Sequence, residues 1–446
     1  MVKLLKEIKT RLFITTDHFP TGGELGDSMF IMPEIPYLAK AFQTTVVCER
    51  PIEPVLPPIV DSIDYYYHFH KIPMRISKRI KWFLMYLIDH VCWMEVADII
   101  KRNFVETHDG VSSFLRQLYQ SMGFYAKAQE FFSFFSCFVQ HPTREKAVFY
   151  SFWYNECALG FALHRSDYPN FDTLTRLHGY DCFEDAFQSG RQPFKRFMND
   201  KVDRLCFVGQ TARNEFYRVY PDMDESKLFV MRLGSSRIDR KGFNPDVCKT
   251  FTLVSCSNVV SVKRLDMIID ALARLDIRIK WIHFGNGDDM SRTVKMAGDM
   301  LSPMNNISYE FRGRTPNEKI RDYYGSGEAS CYIITSRHEG GPISAMEAIS
   351  AGIPIIGTKT GEIPYMIRDN GVLLDENPTA EDIAAAIRAV YDKWVLQKQG
   401  LSGSYHRMCE NSYQVWKDGF NLEENTKRFV DDMVKRYIQS YEGTDL

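Results

Sequence analysis

The stretch SRHEGGPISAMEAISAGIPIIGTKTGEIPYMI, residues 336–367, holds the residues best suited to chemistry. Glu339 and Glu347 stand eight positions apart. A carboxylate offers two acceptor oxygens, which suits a vicinal diol. Gly340 and Gly341 let the backbone come close to a ligand. Pro342 fits the first position of a helix. The start of that helix offers free N–H groups and a positive dipole end to an anion such as a diphosphate. A second glycine turn follows at Thr360–Gly361. The glutamate pair alone carries no information, because about 6% of residues in an ordinary chain are Glu and such pairs arise by chance. The order around it does: strand, Glu, Gly-Gly-Pro, helix bearing Glu, strand.

Positioning these groups takes an alternation of strands and helices. RLFITTD (11–17) reads as a strand and His18–Asp27 as a glycine-bearing loop containing Gly22 and Gly23. A helix follows through EIPYLAKAF, then strands at 44–49 and 62–69. Residues 75–140 read as a mostly helical insertion rich in Phe, Tyr and Met. Strands resume at 146–152, 173–178, 204–209 and 227–232. After a polar stretch the alternation restarts, with strands at 251–256, 279–285, 306–311, 329–336, 353–358 and 371–374. Such βα alternation predicts parallel, doubly wound sheets. The expected organisation is an N-terminal Rossmann-like domain (1–234), a linker (235–247), a second Rossmann-like domain (248–425), and a C-terminal helix (426–446) reaching back to the first.

The 336–367 arrangement closely resembles the retaining glycosyltransferases of family 4. The resemblance continues through SCSNVVSVKRLDMIIDAL (255–272), FGNGDD (284–289) and FRGRTPNEKI (311–320). In the first half it is carried by ITTDHFPTGG, VFYSFWYNECALGFAL and LTRLHGYD, which are similar to bacterial polysaccharide-assembly members. It covers most of the chain and is weakest over 75–140. It implies an α/β GT-B fold, two facing Rossmann-like domains with acceptor on the first and nucleotide-sugar donor on the second. It implies Glu339 beside the transferred sugar and Glu347 on the ribose hydroxyls. Lys263 matches the family lysine that holds the donor diphosphate. The family arginine five positions earlier is Asn258 here, and Arg264 is the residue expected to supply the charge, if the site does not work with one cation. Gly313 and Arg314 match a loop that meets the donor base. His178 matches a family histidine near the donor sugar, with Asp181 and Arg176 as weaker candidates. Gly22 and Gly23 are expected at an acceptor or donor-phosphate loop, Thr360 and Gly361 at the donor. The implied reaction moves a hexose from a nucleotide sugar, UDP being the commonest nucleotide, to a glycan or glycolipid. The nucleotide sugar is a co-substrate, and no cofactor or metal is expected. The alternatives are an epimerase or phosphorylase on the same fold, or an inactive nucleotide-sugar-binding component of an assembly complex.

Composition narrows the field. In 446 residues, 55 Lys and Arg balance 57 Asp and Glu, so no basic field favours nucleic acid. The 10 cysteines include no CxxC pair, which argues against a zinc ribbon or thioredoxin-type motif and suits a reducing cytoplasm. No signal peptide and no apolar run of membrane-spanning length is read. Residues 71–83, KIPMRISKRIKWF, hold five basic and no acidic residues before LMYLI. They form either an amphipathic helix with a solvated basic face, the favoured reading, or a peripheral seat on the anionic inner face of a membrane.

Overall fold

A computed structural model describes residues 10–16, 31–48, 65–68, 76–139, 141–179, 181–182, 190–239 and 250–439. The central strands, such as Arg11–Thr16, Ala147–Ser151, Phe251–Cys256 and Cys331–Ile334, are short and buried on both faces, as parallel sheets covered by crossover helices require. The chain divides into two compact units, one formed by Met1–Met231 with Thr426–Leu446, the other by Arg232–Asn425.

The first unit is built on seven parallel strands: β1 (Arg11–Thr16), β2 (Gln43–Cys48), β3 (Tyr65–His68), β4 (Ala147–Ser151), β5 (Phe171–Leu177), β6 (Arg204–Phe207) and β7 (Leu228–Val230). Their order is β3-β2-β1-β4-β5-β6-β7. Helix α1 (Ile35–Ala41) links β1 to β2. Between β3 and β4 stand α2 (Ile76–Ile88), α3 (His90–Lys101) and α4 (Gly110–Phe135). Helices α5 (Glu156–Leu163), α6 (Lys195–Lys201) and α7 (Gln210–Val219) complete the crossovers.

The second unit is built on β8 (Phe251–Cys256), β9 (Ile279–Phe284), β10 (Ile307–Phe311), β11 (Cys331–Ile334), β12 (Ile355–Thr358) and β13 (Gly371–Leu374), in the order β10-β9-β8-β11-β12-β13. Phe251 pairs with Ile279 on one side of β8, and Leu253 with Cys331 on the other. The connecting helices are α8 (Leu265–Leu272), α9 (Met290–Leu301), α10 (Asn317–Gly325), α11 (Ile343–Ser350) and α12 (Ile363–Met366). Then come α13 (Ala380–Lys398) and α14 (Ser404–Gly419). Thr379 caps α13 reciprocally with Asp382, satisfying backbone donors that would otherwise be orphaned.

The last helix, α15 (Leu422–Val434), begins in the second unit, where Asn425 donates to the Leu233 carbonyl. Its later turns carry Phe429, Val430 and Met433 into the first unit's core beside Leu12, Ile14 and Val148. There Arg176, fully buried, pairs with Glu34 at 2.7 Å and stacks 4.5 Å over the Phe429 ring. Arg176 is therefore a core residue, not a group offered to a ligand. Residues 240–247 of the expected linker lie outside the described residues, and Ser235 pairs with Asn421 in the second unit.

Candidate active site

Ligands of open parallel sheets bind beyond the carboxyl ends of the strands, where the strand order reverses. In the second unit that point lies between β8 and β11. Lys263 follows β8 and closes a short 3-10 turn, Ser261–Lys263. Glu339 follows β11. The Lys263 Nζ donates to Glu339 Oε1 at 2.5 Å, with the lysine side chain 21% exposed and the glutamate 9%. The turn is tied to the end of β11, since Thr335 Oγ1 donates to the Lys263 carbonyl at 3.0 Å and Arg337 N to the Val262 carbonyl at 2.8 Å. A cation and a carboxylate thus meet across the switch point.

Arg264 does a different job from the one expected. Its φ of +51° lies in the left-handed region, uncommon for a non-glycine residue. Its buried guanidinium donates to the carbonyls of Thr335, Ser336 and Glu376 and to Asn377 Oδ1. Burial, then the neighbouring Arg337 charge, hold its pKa below the usual arginine value. Arg264 binds two loops together instead of offering its charge to a diphosphate. Asn258 is exposed on the loop after β8.

Glu347 lies in the second turn of α11 and is 4% exposed. Asn317 Nδ2 donates to both its oxygens, at 3.1 and 3.2 Å, and Arg321 Nη1 to Oε1 at 3.1 Å. Burial raises its pKa above the usual carboxylate value, and Asn317 and Arg321 oppose that rise. Sequence reasoning missed these two partners. The signal was there: they stand four apart on α10, one turn of helix. Helix α11 starts at Ile343, so Pro342 is the residue before the first turn, at the cap, and not the first helical residue. The helix is moored to β8 by Ser344 Oγ, which donates to the Cys256 carbonyl at 3.0 Å, and by Tyr332, whose hydroxyl lies 2.8 Å from that Oγ.

The glycine turn after β12 braces the Glu339 loop. Gly361 has φ +51°, and a Cβ there would sit 1.9 Å from the Glu339 carbonyl oxygen. Glu362 N donates to the Gly340 carbonyl at 3.0 Å, and Thr360 Oγ1 to that of Arg337 at 3.0 Å. Gly341 packs close to Met346. Gly313 has φ +64° with open space on its Cβ side, and its carbonyl accepts from Gly285 N at 2.9 Å. Arg314 is exposed beside it. A separate cavity of about 400 Å³ lies behind the Lys263 turn, lined by Arg264, Arg292, Arg337, Asp266 and Asp289 and not by either glutamate.

In the first unit His178 follows β5 and is nearly buried between Trp153 and Phe152, ring centroids 4.2 and 4.7 Å away. Asp181 accepts from the backbone N of His178 at 2.6 Å and of Tyr154 at 3.2 Å, so it shapes the turn. Neither His178 ring nitrogen has a hydrogen-bond partner. Gly22 and Gly23 lie outside the described residues. Among the described residues no group of three or more His, Cys, Asp or Glu is arranged to hold a metal ion.

Residues 239–415 match the family model for glycosyl transferases group 1. A curated relative, the UDP-N-acetylglucosamine--peptide N-acetylglucosaminyltransferase GtfA subunit of Streptococcus parasanguinis, is 24% identical over 53% of this chain and 46% of its own length. The phosphatidylinositol N-acetylglucosaminyltransferase gpi3 subunit of Schizosaccharomyces pombe is 22% identical over 68% of this chain and 65% of its own. The chain spans less than half the length of the first curated relatives it matches. Among solved structures, Anabaena HepE in complex with UDP and glucose superimposes with a TM-score of 0.61 at 12% identity, over 96% of this chain and all of that one. Sucrose-phosphate synthase from Thermosynechococcus elongatus gives 0.64 at 12% identity, over 98% of this chain and 100% of that one. The chain has the α/β two-domain fold of the GT-B glycosyltransferases, and its second unit carries the glycosyl transferases group 1 match that supports a glycosyltransferase.

Proposed function

We propose that the protein is a retaining, metal-independent glycosyltransferase. It takes a hexose from a nucleotide sugar, most simply a UDP-sugar, and adds it to a polysaccharide or lipid-linked oligosaccharide. The observation that carries this reading is the Lys263–Glu339 pair at the β8/β11 switch point. Cleavage of the donor's glycosidic bond builds negative charge on a diphosphate. Lys263, once it exchanges Glu339 for the diphosphate, is the cation that would stabilise that charge. Glu339 touches Lys263, which supports the reading that it acts beside the transferred sugar. Glu347, fixed by Asn317 and Arg321, is a pre-set acceptor for ribose hydroxyls. The related structures solved with UDP and UDP-glucose, and the relatives named for UDP-N-acetylglucosamine, support the choice of nucleotide. The acceptor is assigned to the first unit, and His178, matched to the family histidine near the donor sugar, is nearly buried at the end of β5.

The test is a thermal-shift screen of the whole chain against nucleoside diphosphates and sugar nucleotides, followed by product analysis. A ligand at 100 times its dissociation constant stabilises the fold by about 2.7 kcal/mol. Free nucleoside diphosphate should appear in step with a glycan product of unchanged anomeric configuration, and Glu339→Ala should abolish it. Absence of any nucleotide-dependent stabilisation refutes the reading. One observation favours a second reading, a nucleotide-sugar-binding component without turnover: Asn258 is neutral and Arg264 is used on carbonyls, leaving the Asn258–Arg264 stretch with Lys263 as its cation at this point. Tight UDP binding without product would select it.

A further inference from the structure

Helices α2, α3 and α4 break the usual rule for a surface helix. The inward side of α3 is ordinary, with Val91, Cys92 and Ile99 in the core. Its outward positions, spaced at helical period, should be polar. They are Trp93, Met94 and Ile100, continued by Val105 in the π-turn Arg102–Glu106. Val105 is 64% exposed and Trp93 59%. The neighbouring α4 presents Leu115 and Tyr119, the tyrosine 79% exposed, and α2 presents Ile88 at its end. Most of the large apolar side chains exposed among the described residues lie on these three helices. Scattered exposed leucines need no explanation, but a stripe at helical spacing marks a surface that is covered in use.

Charge tells what covers it. By sequence, residues 71–88 hold five basic residues and no acidic one. Lys81 is exposed, its ammonium 4.6 Å over the Trp82 ring. Acidic residues nearby are paired, buried Glu95 and half-buried Asp98 with Arg191, and exposed Glu106 with Lys101 at 3.2 Å. An outward apolar stripe bearing Trp and Tyr, on a stretch of chain whose sequence is basic at its start, matches a bilayer interface with anionic headgroups. Among the described residues no helix is long and apolar enough to cross a membrane. We infer that the outward face of α2–α4 seats the protein on an anionic lipid surface, its apolar side chains in the interface. This goes beyond the glycosyl-transfer reading and does not depend on it.

The experiment is co-sedimentation of the full chain with vesicles of phosphatidylcholine plus phosphatidylglycerol, and of phosphatidylcholine alone. The wild type should bind the anionic vesicles and lose binding severalfold as salt rises through the range where the Debye length falls below about 10 Å. A Trp93→Ser/Val105→Ser/Leu115→Ser variant, altered only at exposed positions, should bind about tenfold more weakly with its melting temperature unchanged. Brominated lipid should quench wild-type fluorescence more than that of Trp93→Phe. No binding to anionic vesicles at low salt overturns the proposal, as does a triple variant that binds like the wild type. A dimer that the triple variant dissolves, with no vesicle binding by either form, would assign the face to a second copy and also overturn it. UDP binding, measured in parallel, reports on the active site separately.

Discussion

Replacing Glu339 with Gln should tighten nucleoside diphosphate binding while it cripples turnover. In the free protein Lys263 Nζ is held by Glu339 Oε1 at 2.5 Å, both groups largely withdrawn from solvent. A diphosphate that needs Lys263 must compete with that carboxylate. The bare attraction at this distance and an effective dielectric of 20 is roughly 7 kcal/mol. Desolvation and exchange with water reduce the net value of such a charged hydrogen bond to about 1.5–3 kcal/mol. Gln keeps the volume and one acceptor but removes the charge, releasing at least half of that. UDP should therefore bind about three- to tenfold more tightly, since about 1.4 kcal/mol is a factor of ten. Turnover should fall by about 10²–10³, the range for losing one charged group poised at a reacting centre. Isothermal titration with UDP and steady-state kinetics with a UDP-sugar give the two numbers. Lys263→Met should weaken UDP and lower turnover by about 10²–10³. In the Lys263→Met background the Glu339→Gln change should tighten UDP little, because the competing cation is gone. Unchanged or weaker UDP binding in Glu339→Gln, or equal tightening in both backgrounds, would refute competition for Lys263.

Glu347→Gln should raise KM more than it lowers kcat, because a ribose contact made equally in ground and transition state is uniform binding; a donor lacking the 2′-hydroxyl should then discriminate little between variant and wild type. Gly361→Ala places a methyl 1.9 Å from the Glu339 carbonyl at a φ of +51°; denaturant unfolding should show a loss of about 2 kcal/mol or more, with turnover falling too, while Thr360→Ala, which removes one hydrogen bond, should cost about 1 kcal/mol. His283, buried with its Nδ1 2.9 Å from Ser255 Oγ, has its pKa lowered by desolvation from 6.5 to about 4. The unfolded chain therefore binds the extra proton first, and stability should be complete above pH 6.5 and fall by about 3 kcal/mol as pH drops toward 4, a slope that His283→Asn should flatten in urea titrations across that window.

Strands such as FTLVSC and IKWIHF are legible in the sequence because a parallel strand buried on both faces must be a short apolar run. The neighbourhood of Glu339 and Glu347 is legible for a similar reason: glycines, a proline and a helix lie within a few residues of each other. Arg264 is not. Its role depends on carbonyls at Thr335, Ser336 and Glu376, 71 to 112 positions away, and nothing local separates a guanidinium holding carbonyls from one awaiting phosphate. Arg176 illustrates the same limit, since Glu34 lies 142 positions off. The outward stripe of α3 is not legible either, for the opposite reason. Period alone shows two apolar sides to that helix, and only packing decides which is inside.

The path of α15 has a consequence for how the molecule is made. The first unit's sheet is translated early, yet its core still lacks Phe429 and Met433, both fully buried. Each contributes about 2–3 kcal/mol of burial, and Arg176 lacks the ring it stacks on until Phe429 arrives. A nascent chain with residue 425 just clear of the exit tunnel can already complete the second unit, while the first still lacks the side chains of α15. Assembly order is thus inverted relative to synthesis order. The part begun first is sealed last, and an aggregation-prone interval lies between the two events. Nascent chains stalled with residue 425 just clear of the exit tunnel should be cut by protease within residues 1–231, and chains carrying α15 clear of it should resist.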